Sequence, residues 1–333
     1  MTSQSDEPQR VHSQVPARVF VTGANGFIGR ALLTRLRELG SRVTGVDLRP
    51  GRDPDVLVGS TTDPDGWMHA LDGADAIVHT AAIVSNVATH DQAWAVNVLG
   101  TRRVIDAAAS SGVPRLLHLS SIMAYGFDYP DGVDETYPVR VNGYSYTDSR
   151  VNSEAVVMAA HACGEVDATI VRPGDVIGPG SIWVREPILM SRRWQMILPA
   201  MGNGVFTPVY IDNLVDALVL ALATPASSGQ IFTVTDGYGV ACRDYFGRLA
   251  TMANGTMTAV PTGVALRLSR ATGSLLRSTG RHSELGAATA LMLARRGLYS
   301  TEKARRVLGF EPRVGYEQAM SLIETWARQE GLI

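Results

Sequence analysis

The sequence predicts an α/β protein, a doubly wound parallel sheet with a smaller, mostly helical C-terminal lobe. Three observations predict it. Short apolar, β-branched runs alternate with stretches of helical periodicity through the first half of the 333 residues, the pattern of parallel strands joined by crossover helices. Val19 to Gly29 reads Val-Phe-Val-Thr-Gly-Ala-Asn-Gly-Phe-Ile-Gly, a strand that runs through three glycines into a helix. From about residue 179 the alternation breaks off, returns at 206–238, and then gives way to helical or irregular sequence. The expected boundaries follow: a disordered polar tail over 1–16, a sheet domain over 17–178 plus 206–238, and a second lobe over 179–205 plus 239–333.

Each glycine of the first turn has a physical task. Gly23 permits the sharp turn off the strand, Gly26 lets backbone come close to a pyrophosphate, and Gly29 lets the helix pack on the strand. The helix carries Leu32, Leu33, Leu36 and Leu39 on one face. Its N-terminus offers unpaired N–H groups and a positive dipole end to phosphates. An ordinary glycine-rich turn is the alternative; the strand before and the helix after it favour a dinucleotide site, and with it a Rossmann domain. Arg42 to Val46 forms the second strand and ends at Asp47. That position, about 20 residues past the turn, suits a carboxylate that holds ribose hydroxyls. It would repel a 2′-phosphate, which favours NAD over NADP. Arg49 is the opposing feature, and a plain strand-end turn residue is the other reading of Asp47.

Val56–Val58, Ala76–Thr80, Arg115–Ser121, Ala168–Val171 and Ile231–Val234 supply the remaining strands. Residues 181–205 carry Trp183, Met190, Trp194, Met196, Ile197 and Leu198. They are expected to line an apolar substrate pocket, with simple core packing as the alternative for any one of them. Residues 263–280, with Leu266, Leu268, Leu275 and Leu276 among Arg267, Arg270 and Arg277, read as a lobe helix with a solvated face rather than a membrane contact.

Composition excludes several classes. Apolar residues make up 45% and charged residues 19%, with a net charge of −2, so nothing draws the chain to nucleic acid or an anionic membrane. The two cysteines, Cys163 and Cys242, form neither a metal-ligand cluster nor a disulfide framework, which implies no metal and a reducing cytoplasm. No apolar run approaches membrane-spanning length, and residues 1–16 lack the apolar core of a signal peptide.

The stretch Thr-Gly-Ala-Asn-Gly-Phe-Ile-Gly resembles the turn of the extended short-chain dehydrogenase/reductases. Later motifs follow in that family's order from about residue 17 to about 325. The resemblance implies that Asn25, Phe27 and Ile28 belong to the cofactor turn with the glycines. Ser60, followed by Thr61, stands where the family carries an aspartate against adenine; Asp63 would cap the next turn. Ala81 and Ala82 leave room for the cofactor, or pack closely for its own sake. Asn97, in Val-Asn-Val-Leu-Gly-Thr, supports the active site or is a satisfied buried amide. Ser120 and Ser121 open Ser-Ser-Ile-Met-Ala-Tyr-Gly. Registering the family's Tyr-x-x-Ser-Lys-x-x-x-Glu on Tyr146 aligns Ser149, Arg150 and Glu154; registering it on Tyr144 would put Asp148 at the cation's place. Arg172-Pro-Gly-Asp-Val-Ile-Gly-Pro, with Pro173 and Val176, lies under the nicotinamide, and Tyr299 to Pro312 matches the terminal segment.

The implied chemistry is hydride transfer between an alcohol carbon and NAD. Tyr146 is the general acid/base, Ser121 binds the reacting oxygen, and Arg150, in the usual lysine place, anchors the ribose and favours the phenolate. Within the branch, 173–209 is most similar to the 3β-hydroxysteroid dehydrogenase-like group, which implies an apolar, steroid-like or β-hydroxy/β-keto substrate. Two alternatives stay open. One is a nucleotide-sugar epimerase or dehydratase, with Arg185, Arg192 and Arg193 as candidate cations. The other is a non-catalytic NAD-binding sensor, suggested by Arg150. Family members often dimerise, and the Ala-rich stretches 102–111 and 151–162 suit a homodimer.

Overall fold

A computed structural model describes residues 15–193, 195–278, 284 and 286–333. The expected tail as far as residue 14, Trp194, and the side chains of Leu276 and Arg277 lie outside the described residues. The tail boundary at 16 needs correction: Val15 already packs against the core, and the Pro16 carbonyl accepts from the Ser41 hydroxyl at 2.7 Å.

Seven parallel strands form the central sheet: β1 (Arg18–Thr22), β2 (Arg42–Asp47), β3 (Val56–Val58), β4 (Ala76–His79), β5 (Arg115–Leu119), β6 (Asp167–Pro173) and β7 (Ile231–Val234). Their spatial order is β7-β6-β5-β4-β1-β2-β3, so the winding reverses between β1 and β4. Ligands of open α/β sheets bind in the crevice at such a reversal, outside the carboxyl ends of the strands. Register places Thr22 beside His79 and His79 beside His118 across three strands.

The crossovers are helical because their apolar residues recur on one face. In α1 (Phe27–Glu38), Leu32, Leu33 and Leu36 are buried, each contributing about 1.5–3 kcal/mol on burial. Helices α2 (Gly100–Ser110) and α3 (Ser145–Ala162) cover the sheet beside β4 to β6. A π-helical stretch, Trp94–Leu99, precedes α2. Helix α4 (Ile182–Arg193) enters the second lobe, α5 (Ile211–Ala223) returns to the sheet beside α1, and α6 (Cys242–Met252) packs against α4.

In the second lobe Gln195–Leu198 pairs in parallel with Thr256–Ala259. Part of the expected pocket lining is core. Val184, Ile188, Met196 and Leu198 join the hydrophobic core, and Trp183 packs edge-on to Phe206, centroids 5.5 Å apart. Of the apolar groups expected at a pocket, Met196 and Leu198 are buried in the core, Trp183 and Met190 are half-buried, and Ile197 is exposed. Thr262–Ser278 is helical, with Ala265 and Gly273 buried among its described residues.

Candidate active site

The crevice begins at the glycine turn. Gly23 has φ +71°, a region that disfavours side chains, and its N–H donates to the Val46 carbonyl at 2.8 Å. A Cβ on Gly29 would lie 2.2 Å from the Gly23 carbonyl oxygen, so only glycine lets α1 start there. Gly26 is exposed. No side chain caps α1 and its first turn contains no acid, which leaves the positive dipole end for an anion. Ala81 lies directly against Gly23, and Ala82 follows it, both half-buried. Phe27 meets the loop after β6 at Gly178, near Pro173 and Val176, while Ile28 packs into the core.

Asp47 is fixed at the end of β2. Its carboxylate accepts from the Asn25 N–H at 3.0 Å and the Arg49 N–H at 2.9 Å, and the Asn25 amide donates to the Arg49 carbonyl at 2.8 Å. Two neighbouring expectations change. The Ser60 hydroxyl is bonded to Thr62, 2.7 Å away, and Thr61 is buried against Gly100, so those side chains serve their own turn. Asp63 makes no side-chain capping bond.

The candidate reacting groups lie on α3 and just past the end of β5. The Arg150 guanidinium lies 5.1 Å from the Tyr146 ring centroid and donates to the Leu119 carbonyl at 3.1 Å. It is buried, and its Nε has no partner. The Tyr146 ring is half-buried, and its hydroxyl has no protein partner among the described residues. Two residues beyond Leu119, the Ser121 oxygen accepts from the Met123 N–H at 3.1 Å, which leaves its proton free to donate. Asp148 accepts from the N–H groups of Asn142 and Gly143, a helix-entry role that agrees with the Tyr146 register. Tyr125 is otherwise engaged: its hydroxyl is 2.8 Å from the Thr233 hydroxyl and its ring lies under Arg172.

Comparison with known proteins completes this picture. Residues 19–235 match the model of the NAD dependent epimerase/dehydratase family. The chain belongs to that family. It is 30% identical to the 3 beta-hydroxysteroid dehydrogenase/Delta 5-->4-isomerase of Mycobacterium tuberculosis, over 91% of this chain and 88% of that one. It is 26% identical to the 4-hydroxy-2-methyl-3-oxo-4-farnesyl-3,4-dihydroquinoline-1-oxide ketoreductase of Stigmatella aurantiaca, over 92% and 95%. Among solved structures, the epimerase Mth375 of Methanothermobacter thermautotrophicus superposes with a TM-score of 0.82 at 18% identity, covering 99% of this chain and 97% of that one; at that identity the likeness shows the fold.

As a member of this NAD-dependent family the chain is an extended short-chain oxidoreductase, and its residues fit the cofactor. The glycine cradle has no room for a Cβ, α1 is uncapped, and the unpartnered Arg150 Nε lies beside Tyr146. Because the Asp47 carboxylate is held in place, NAD should bind more tightly than NADP, on the order of ten-fold or more given charges a few ångströms apart. Asp47→Asn should narrow the gap. Fluorescence titration with both cofactors checks this; tighter NADP binding would assign the ribose pocket to Arg49.

Sequence reasoning missed much of what supports the family's motif residues. The Ser120 hydroxyl, expected at the cofactor, donates instead to Glu154 at 2.5 Å. Glu154 also pairs with Arg172 at 2.6 Å, both buried. Asn97 is both things the sequence allowed: its amide is satisfied by Ile83 and it donates to the Ser149 hydroxyl at 2.9 Å. His79 and His118 are wholly buried. Burial, then the charge of Arg150, pushes His79 down to about 3. Burial, then His79 and Arg150, holds His118 well below its usual range. Arg295, also buried, pairs with Asp175 at 2.7 Å and touches Met123 and Tyr299. A polar residue inside an otherwise apolar strand run was the available signal for the histidines; nothing local marks Arg295. Among the described residues no group of three or more His, Cys, Asp or Glu gathers to hold a metal, and no helix is long and apolar enough to cross a membrane.

Proposed function

We propose that the protein is an NAD-dependent dehydrogenase or ketoreductase acting on the secondary alcohol or ketone of an apolar, steroid-like or β-hydroxy/β-keto compound. The observation that carries this is the absence of a cation at 206–208. Phe206 and Thr207 are buried, no cation stands among these residues, and the Arg295 guanidinium behind them is neutralised by Asp175. Arg192 is bound to the Leu332 carbonyl at 2.6 Å. A diphosphate needs fixed cations, whereas an apolar ligand gains from their absence. The hydroxysteroid and ketoreductase relatives support the same substrate class.

When bound, the nicotinamide supplies the hydride chemistry. Tyr146 donates or accepts the proton at the substrate oxygen, Ser121 donates a hydrogen bond to that oxygen, and Arg150 stabilises negative charge on the ring. Turnover of 3β-hydroxysteroids and β-hydroxy ketones with NAD tests the reading, alongside titration with UDP. Hydroxysteroid turnover without UDP binding is expected. Micromolar UDP binding would instead favour a nucleotide-sugar epimerase, the reading that exposed Arg185 and Arg193 on α4 keep in play.

The proposal extends to a cytoplasmic homodimer. Both cysteines are free, as in reducing compartments. Trp94 and Leu99, 45% and 46% exposed, stand at the entrance to α2, beside one of the Ala-rich stretches. Sedimentation should give a dimer that Trp94→Glu weakens; a monomeric wild type at micromolar concentration would sink this part.

A further inference from the structure

Two imidazoles lie in the middle of the sheet, and the proton transfer proposed above uses neither. His79 and His118 are register partners on β4 and β5. Each is 1% exposed, and their ring centroids are 5.3 Å apart. Their hydrogen bonds acquire directions once the neighbouring hydroxyls are assigned. The Thr101 hydroxyl lies 2.7 Å from the Asn97 main-chain carbonyl, an acceptor, so its single proton goes there. Toward His79 Nε2, 3.0 Å away, Thr101 therefore accepts. His79 carries its proton on Nε2, and its Nδ1 accepts from the Thr22 hydroxyl at 2.6 Å.

The same logic applies to the second ring. The Ser153 hydroxyl donates to the Arg150 carbonyl at 2.9 Å, so it accepts from His118 Nε2 at 3.1 Å. Each imidazole thus begins the same three-part chain of ring N–H, helix hydroxyl and main-chain carbonyl. The two carbonyls belong to motif residues. Asn97 sits in a π-helical turn, a backbone form concentrated at functional sites. Its side chain donates to Ser149, whose hydroxyl donates to the Tyr146 carbonyl at 2.7 Å. Arg150 is held from β5 at both ends, its carbonyl through Ser153 and His118 and its guanidinium by Leu119. On the cofactor side, Thr22 precedes Gly23 and its oxygen accepts from the Ala81 N–H at 3.3 Å.

We infer that His79 and His118 are positioning residues: neutral Nε2–H clamps that fix the main chain at Asn97 and Arg150, and through them the Tyr146 ring relative to the glycine turn. This rests on the assignment of Tyr146 and Arg150 to the reaction. An apolar pair of equal volume would fill the space but would leave both hydroxyls without a donor.

Two measurements on the full chain test it. The first needs no substrate. Nitrogen NMR of histidine-labelled protein should show both buried rings as neutral Nε2–H tautomers from about pH 5 to about pH 8, the range where free histidine changes charge. An Nδ1–H tautomer, or protonation of either ring in that range, overturns the inference. The second uses Thr101→Val and Ser153→Ala, which remove one hydroxyl each. Thr101→Val should lower turnover by about ten-fold or more with the NAD dissociation constant within about three-fold, the signature of misplaced groups. Ser153→Ala should also weaken NAD binding, because it loosens Arg150. Thr101→Ser keeps the hydroxyl and should restore wild-type behaviour, which separates positioning from loss of fold. Wild-type turnover and NAD affinity in both hydroxyl-deleted variants overturns the inference. If the wild type turns over no hydroxysteroid, the functional reading fails, while the tautomers and the NAD affinities still decide this one.

Discussion

Replacing Tyr146 by phenylalanine should lower turnover by about 10²- to 10⁴-fold, the usual worth of a positioned acid/base, while leaving NAD affinity within a few-fold. A proton must leave or reach the substrate oxygen as hydride moves, and the Tyr146 hydroxyl has no competing protein partner among the described residues. The Arg150 guanidinium lies 5.1 Å from the Tyr146 ring centroid and donates to the Leu119 carbonyl at 3.1 Å. Arg150→Ala should weaken NAD binding, because it removes the cation proposed to anchor the ribose. Arg150→Lys should retain activity because it keeps the charge, although an ammonium does not reproduce the guanidinium's fork toward Leu119. A Tyr146→Phe enzyme with most of its turnover would remove Tyr146 from the reaction. Tyr144, packed edge-on to Phe127, would then be the next tyrosine to test, since Tyr125 is committed to Thr233 and Arg172.

The largest effect on stability should come from Asp175→Ala. Asp175 accepts two hydrogen bonds from the Arg295 guanidinium, at 3.0 and 2.7 Å, with both side chains buried. It also accepts from the Thr207 N–H at 3.0 Å. Removing the carboxylate strands a buried positive charge, a change that costs about 3–5 kcal/mol, against a total stability of about 5–15 kcal/mol for folded domains. The urea midpoint should fall accordingly. Replacing both partners with apolar residues, Asp175→Leu with Arg295→Met, should recover much of the loss, because the stranded charge is the main cost. A single variant within about 1 kcal/mol of wild type would show that Arg295 finds water or another partner.

The elements that sequence reasoning located well are those whose causes are local. Strand β3 falls on Val56–Val58 and β7 on Ile231–Val234, as expected, because β-branched runs bounded by turn residues have few other conformations. The glycine turn was legible for the same reason: the constraints at Gly23 and Gly29 are steric and act over a few residues. Tyr146, Arg150 and Asn97 were singled out by their likeness to family motifs; the structure sets the Arg150 guanidinium against the Tyr146 ring and the Asn97 amide against Ser149. The role of 181–205 was not. Apolar side chains read alike whether they face a ligand or a neighbour, and only the packing of α4 on α6 and the pairing of Gln195–Leu198 with Thr256–Ala259 assign Val184, Ile188, Met196 and Leu198 to the core.

The sequence by itself determined the doubly wound sheet, the dinucleotide turn, the acidic end of β2 and the tyrosine-bearing helix, since each rests on steric or helical periodicity within a short stretch. Tertiary structure alone decided which polar groups are committed to one another. It pairs Arg295 with Asp175, 120 residues away, commits Ser120 to Glu154, and sets His79 against His118 through strand register. It also directs both histidines, through Thr101 and Ser153, onto the carbonyls of Asn97 and Arg150. Such pairings depend on which side chains share a desolvated space, where an unmatched polar group is expensive, and that space exists only once the sheet and its covering helices have assembled.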